Sequence, residues 1–155
     1  MQDQTPNVDG QYQIFFVIWI ALLISQVMFV VIIFIVRPEL FQFDLSRPIL
    51  GSDGDGEAGP VVVIGFAIAA VTAALLSFFF RHRSNERAIG RQSVADLQSG
   101  LINALALCEV SSLLGLALAF MFSYQYFFLW IALGMIGMLL HFPRRDEIRA
   151  ASYKR

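Results

Sequence analysis

Hydrophobic residues gather into four blocks along the chain, Ile14–Val36, Val61–Phe80, Leu101–Phe122 and a shorter Tyr126–Phe142, separated by polar or glycine-rich connections. The first three meet the roughly 20-residue length that a helix needs to cross a bilayer, and the fourth lies at the lower limit. The pattern predicts an all-α integral membrane bundle of four transmembrane helices in one domain, with spans of about 14–36, 61–80, 100–122 and 126–142. If the fourth does not cross, the alternative is a re-entrant or interfacial hairpin led by Tyr124, Tyr126 and Trp130, side chains that favour the headgroup level. Composition agrees, since 57% of the 155 residues are hydrophobic and 15% charged, a departure from soluble usage toward membrane proteins.

Arginine and lysine orient the bundle, because short loops rich in them stay cytoplasmic. A basic loop, 81–92, holds Arg81, Arg83, Arg87 and Arg91, and the tail, 143–155, holds Arg144, Arg145, Arg149, Lys154 and Arg155; only Arg37 and Arg47 lie elsewhere. Both basic segments are expected in the cytoplasm of a bacterial inner-membrane protein, with both termini inside and loop 39–60 outside. The arginines serve as topology signal and anionic-lipid contact, and no soluble module accompanies them that would bind nucleic acid. A signal peptide is not expected, because a basic n-region is missing and the first block is too long for an h-region.

Local signals punctuate the blocks. Arg37-Pro38 ends the first, since the residue before proline is pushed away from helical angles. Asp53, Asp55 and Glu57 alternate with glycines, but Ala58 stands where a calcium loop needs its turn glycine, so a solvated acidic linker is expected. In the second block Gly65, Ala69 and Ala73 recur every four residues, a helix-packing stripe that predicts close approach to the third span. Ser93-Val94-Ala95-Asp96 reads as a capping-box-like start for the third helix. Ser25 and Gln26, at the centre of the first block, are expected to face protein and make interhelical polar contacts. The single Cys108 excludes an intrachain disulfide and a cysteine metal cluster, and its expected role is packing.

Glu109 changes the picture most. It lies near the middle of the third block, with no lysine, arginine or second acid anywhere in that block. An ionised acid there costs roughly 2.5–3.5 kcal/mol on insertion scales, so the carboxyl must be protonated, paired or facing a polar cavity. Positions 105, 109, 112 and 116 share a helix face, which brings Ser112 within hydrogen-bonding reach of Glu109. No cation stands in the membrane core except His141 at the cytoplasmic edge, and desolvation then favours the neutral acid.

The segment ALCEVSSLLGLALAF, with Gly115 six residues after Glu109 and Leu-Ala-Leu following, resembles the second helix of the proteolipid subunit c of rotary ATP synthases. Upstream, Gly90-Arg91-Gln92 is similar to that family's small-Arg-Gln-Pro loop, and the likeness covers about Ala88–Phe120. The resemblance implies that Glu109 is an ion-binding carboxylate and that Arg91 and Gln92 sit at a cytoplasmic loop contacting a rotor stalk. Val110 follows Glu109, and the second span lacks Gln and Glu. Among members of the family that pattern implies a proton, not sodium.

Two functions remain open. In one, Glu109 binds and releases a proton, beside Ser112, within a larger membrane complex; in the other, the protein is a structural or accessory subunit in which protonated Glu109 only bonds a neighbouring helix. The expected partners are the lipid bilayer and other membrane subunits or a second copy. An enzyme is not expected, because no metal cluster, Ser–His pair or phosphate loop is legible, and no cofactor or metal is implied.

Overall fold

The computed structural model describes residues 8–42, 44, 48–51 and 58–152. The acidic triad Asp53, Asp55 and Glu57, together with Arg47, Lys154 and Arg155, lies outside the described residues. Among those described there are five helices and no strand: α1 Val8–Val36, α2 Pro60–Arg91, α3 Val94–Phe122, α4 Phe128–Leu140 and α5 Arg145–Ser152. A 3-10 turn, Pro38–Phe41, follows α1.

Three helices, α1, α2 and α3, are long and apolar enough to cross a membrane. Their exteriors carry large apolar side chains, such as Val61 at 84% and Ile35 at 72% exposure. A surface of this kind is stable only against lipid or another apolar partner.

Helix ends follow local chemistry. The basic segment read as a loop is the last three turns of α2, because nothing before Gly90 breaks the helix and Arg, Glu and Ala favour it. The chain reverses at Gln92, in the left-handed region at φ 51°, and the Ser93 N–H donates to the Ala88 carbonyl at 3.0 Å. This satisfies a terminal carbonyl of α2. Ser93 then caps α3, its hydroxyl accepting from the Asp96 N–H at 3.3 Å. Likewise α1 begins at Val8, earlier than Ile14, so it stands one to two turns beyond the apolar block.

The α2–α3 antiparallel hairpin forms the most extensive contact, and α4 packs back along α3. Small residues allow the approaches: a Cβ on Gly100 would lie 2.2 Å from Ser84 Cβ, and one on Gly115 would lie 2.8 Å from the Phe127 carbonyl oxygen. α1 contributes a narrow buried seam of Phe15, Trp19, Gln26 and Ile33 against α3 and α4. Its indole is satisfied by donating to the Met138 carbonyl at 2.8 Å.

The stripe predicted to face α3 is displaced. Gly65 and Ala69 are exposed, with nothing within 4 Å of a Cβ on Gly65. The buried face of α2 runs instead through Val63, Ala70, Ala73, Ser77, Arg81 and Ala88, sharing only Ala73 with the stripe. With apolar surroundings on every side, small size alone did not say which face meets a helix.

α4 has 13 residues, about 20 Å of helix, short of a hydrocarbon core of roughly 30 Å. The segment carrying it nevertheless runs from one end of the bundle to the other. At its start, Tyr124 and Gln125 donate to the Ile49 and Asp44 carbonyls of the α1–α2 connection, at 2.5 and 2.8 Å. At its close, α5 reaches the opposite end, where Arg145 lies 3.7 Å from Asp9 and 4.7 Å from the Tyr12 ring centre at the start of α1.

Ile148 and Ala151 of α5 are fully buried beside Ala88 and Leu97, and Glu147 pairs with Arg81 at 2.5 Å. The Arg81 side chain is 10% exposed and that of Glu147 27%. Glu147→Ala is expected to cost about 2–3 kcal/mol, less than the 3–5 kcal/mol of a fully buried pair because Glu147 is partly solvated. Denaturation of the purified protein in detergent checks this, and Arg81→Met/Glu147→Leu should recover most of the loss. Equal destabilisation by the double replacement would show that the pair anchors nothing.

Candidate functional site

α1 and α3 cross at the level of Ser25 and Glu109. The Ser25 hydroxyl lies 2.7 Å from Glu109 Oε1 and 2.7 Å from the Leu22 carbonyl oxygen. Both residues are half-buried. A hydroxyl carries one proton, so it donates to only one of these oxygens. Directed to Glu109 it serves a carboxyl oxygen, and directed to Leu22 it leaves the hydroxyl lone pairs facing the carboxyl. No arginine, lysine or histidine pairs with Glu109 among the described residues.

Ser112, expected to bond Glu109, does not. Its hydroxyl is buried without a hydrogen-bond partner, because α4 lies against that side of α3 at Gly134. A Cβ on Gly134 would stand 2.2 Å from Ser112 Oγ, 2.7 Å from the Cys108 carbonyl oxygen and 3.2 Å from Gln26 Nε2. Gln26 is fully buried and neither its amide nitrogen nor its carbonyl oxygen has a partner. Buried orphans of this type cost about 1–3 kcal/mol each, and three polar atoms therefore converge here against the packing interest of the core.

A second polar group begins one turn closer to α5. The Ser77 hydroxyl donates to the Ala74 carbonyl at 2.6 Å, while the Cys108 thiol donates to Ser77 Oγ at 3.6 Å and His141 Nε2 lies 2.9 Å from it. The Cys108, Ser77 and His141 side chains are buried. His141 stands just past the end of α4. Phe78 packs on the ring at 4.6 Å between centres. Arg81 carries the series on to Glu147 of α5.

Ser25, Gln26, Glu109 and Ser112 are thus brought to one α1–α3 layer, and Gly115 lies one turn farther along, against Phe127, Trp130 and Ile131. Arg91 and Gln92 stand exposed at the other end of α3 and touch no part of this layer. Sequence reasoning missed Ser77, His141, Gly134 and Gly137. The Gly134-x-x-Gly137 spacing was a legible sign of close approach, for a Cβ on Gly137 would lie 2.7 Å from Cys108 Sγ. Ser77 gave no sign, since one serine in an apolar helix is ordinary.

Among the described residues no group of three His, Cys, Asp or Glu side chains is placed to hold a metal ion. No family model, no curated protein and no solved structure matches the chain.

Proposed function

We propose that this is a small four-crossing membrane protein in which Glu109 binds and releases a proton within a larger membrane complex. The observation that carries the reading is the cation-free pair of Glu109 with Ser25 between two apolar helices, half-buried and so half-open for exchange. Among the described residues, this acid alone stands deep in an apolar helix, and intramembrane acids of that kind are functional by default.

The end-to-end path of the segment carrying α4 supports the fourth crossing, with Phe142 to Arg144 and α5 adding to the 13 residues of α4. The end holding Arg81–Arg91, α5 and the start of α1 is assigned to the cytoplasm of an inner membrane by its basic residues. In a Cys108→Ser background, a cysteine at position 149 should react with an impermeant maleimide only from the cytoplasmic side and one at Ile49 only from outside. The reverse pattern would overturn the orientation.

A second reading has an observation in its favour: Glu109 and Ser25 lie on different helices, so the bond staples α1 to α3 whether or not a proton ever leaves. The likeness to subunit c bears on the chemistry of the acid alone. Dicyclohexylcarbodiimide, which reacts with protonated carboxyls in apolar surroundings, separates the two readings. Modification should map to Glu109 by mass and accelerate as pH falls. Absence of reaction, or a rate independent of pH, counts against proton exchange and leaves the staple.

A further inference from the structure

We propose that the cleft between α2 and α3 binds one anionic glycerophospholipid, with an acyl chain laid along α3 and the headgroup phosphate held by Arg83 and Arg87. The cleft has a volume of about 400 Å³ and is lined by Phe80, Asn103, Ala106, Leu107 and Val110. The antiparallel register sets its depth: Ser77 meets Cys108 and Ser84 lies against Gly100, so Phe80 and Asn103 stand at one level. The apolar blocks of both helices end near that level. In a bilayer this is where acyl chains give way to ester and phosphate groups. From there Ala106, Leu107 and Val110 run toward the membrane interior as an apolar floor.

Two features name the occupant. Arg83 and Arg87 follow Phe80 on the same side of α2, about 5 and 10 Å farther from the membrane centre. Both are exposed, and among the described residues neither is paired with an acid: the Arg83 guanidinium stands over the Phe79 ring at 6.0 Å, and the acid of that turn, Glu86, lies 3.2 Å from His82. Guanidinium groups take phosphate through two parallel hydrogen bonds, and a zwitterionic headgroup would add its ammonium to charges already unbalanced. The other feature is Asn103, whose exposed amide makes no hydrogen bond among the described residues. At the lip of the cleft it donates to an ester carbonyl of the same lipid. A second copy is disfavoured, because a two-fold axis along the membrane normal would set its Arg83 and Arg87 at the same level, like charge facing like charge.

Native mass spectrometry of the full-length protein in detergent, titrated with dioleoylphosphatidylglycerol, dioleoylphosphatidylcholine or glycerol 3-phosphate, tests the site. The wild type should retain one phosphatidylglycerol about tenfold more tightly than phosphatidylcholine, and no glycerol phosphate. Arg83→Gln/Arg87→Gln should remove that preference, and Ala106→Phe, which fills the cleft, should abolish retention of both lipids. Arg144→Gln/Arg149→Gln is the matched control, taking equal charge from exposed positions outside the cleft. An equal loss of preference in the two double variants would reduce the effect to surface charge and overturn the site. So would glycerol phosphate held as tightly as the lipid, phosphatidylglycerol retained unchanged by Ala106→Phe, or a wild-type dimer that Ala106→Phe converts to monomer. Should Ala106→Phe fail to fold, the comparison of the two double variants decides.

Discussion

Gly134→Ala is expected to destabilise the bundle by about 2–3 kcal/mol, and Gly134→Val to prevent stable packing of α4, at the upper end of what overpacking costs. The added methyl would meet Ser112 Oγ at 2.2 Å and the Cys108 carbonyl oxygen at 2.7 Å. The serine is fully buried, and the carbonyl belongs to the α3 backbone, which moves only if the whole interface opens. Gly65→Ala is the matched comparison. Nothing lies within 4 Å of a Cβ there, and alanine favours a helix by about 0.5–1 kcal/mol over glycine, so that variant should melt at or slightly above the wild-type temperature. Thermal melting in detergent reads both, and equal behaviour of the two alanine variants would contradict the α3–α4 contact.

Glu109→Gln is expected to leave the protein folded and assembled while bringing proton movement down to background. Glutamine preserves the length of the side chain and, like the neutral acid, donates one hydrogen bond toward Ser25 Oγ, so the α1–α3 contact survives with a change of about 0.5 kcal/mol or less. What it lacks is a proton that leaves at accessible pH. Glu109→Asp is the complementary variant: it can ionise, but its shorter side chain withdraws the carboxyl from Ser25, so it should retain partial flux with weaker assembly. The measurement is recovery with native membrane neighbours alongside proton flux in vesicles prepared from the same cells. Unchanged flux in Glu109→Gln would eliminate the carrier and favour the staple. Failure of Glu109→Gln to assemble would show that the carboxyl itself is required for the α1–α3 contact.

The chain by itself determined that long apolar helices form, for blocks of this length have few other ways to satisfy their backbone in lipid. It also marked the end of α1 at Arg37-Pro38, the start of α3 at Ser93, and the singular position of Glu109. It did not determine which faces meet. A helix packed in water announces its core by polar residues on the opposite side, but α1 and α2 are apolar all round, because lipid replaces water on the outer face. Gly65 and Ala69 therefore looked as suited to an interface as Val63, Ala70 and Ser77, and only packing separated them.

The tertiary structure decided the site for the same reason. The choice of Ser25 over Ser112 as partner of Glu109 depends on where α1 crosses α3 and on α4 lying against the far side, at a glycine distant in sequence. The meeting of Cys108, Ser77 and His141 joins positions from α3, α2 and the end of α4, a product of the antiparallel hairpin that no local spacing records. The pairing of Arg81 with Glu147, which α5 brings to its guanidinium, was likewise a tertiary outcome. Composition placed one acid in a membrane, and the fold selected its hydroxyl partner and laid the polar series beside it.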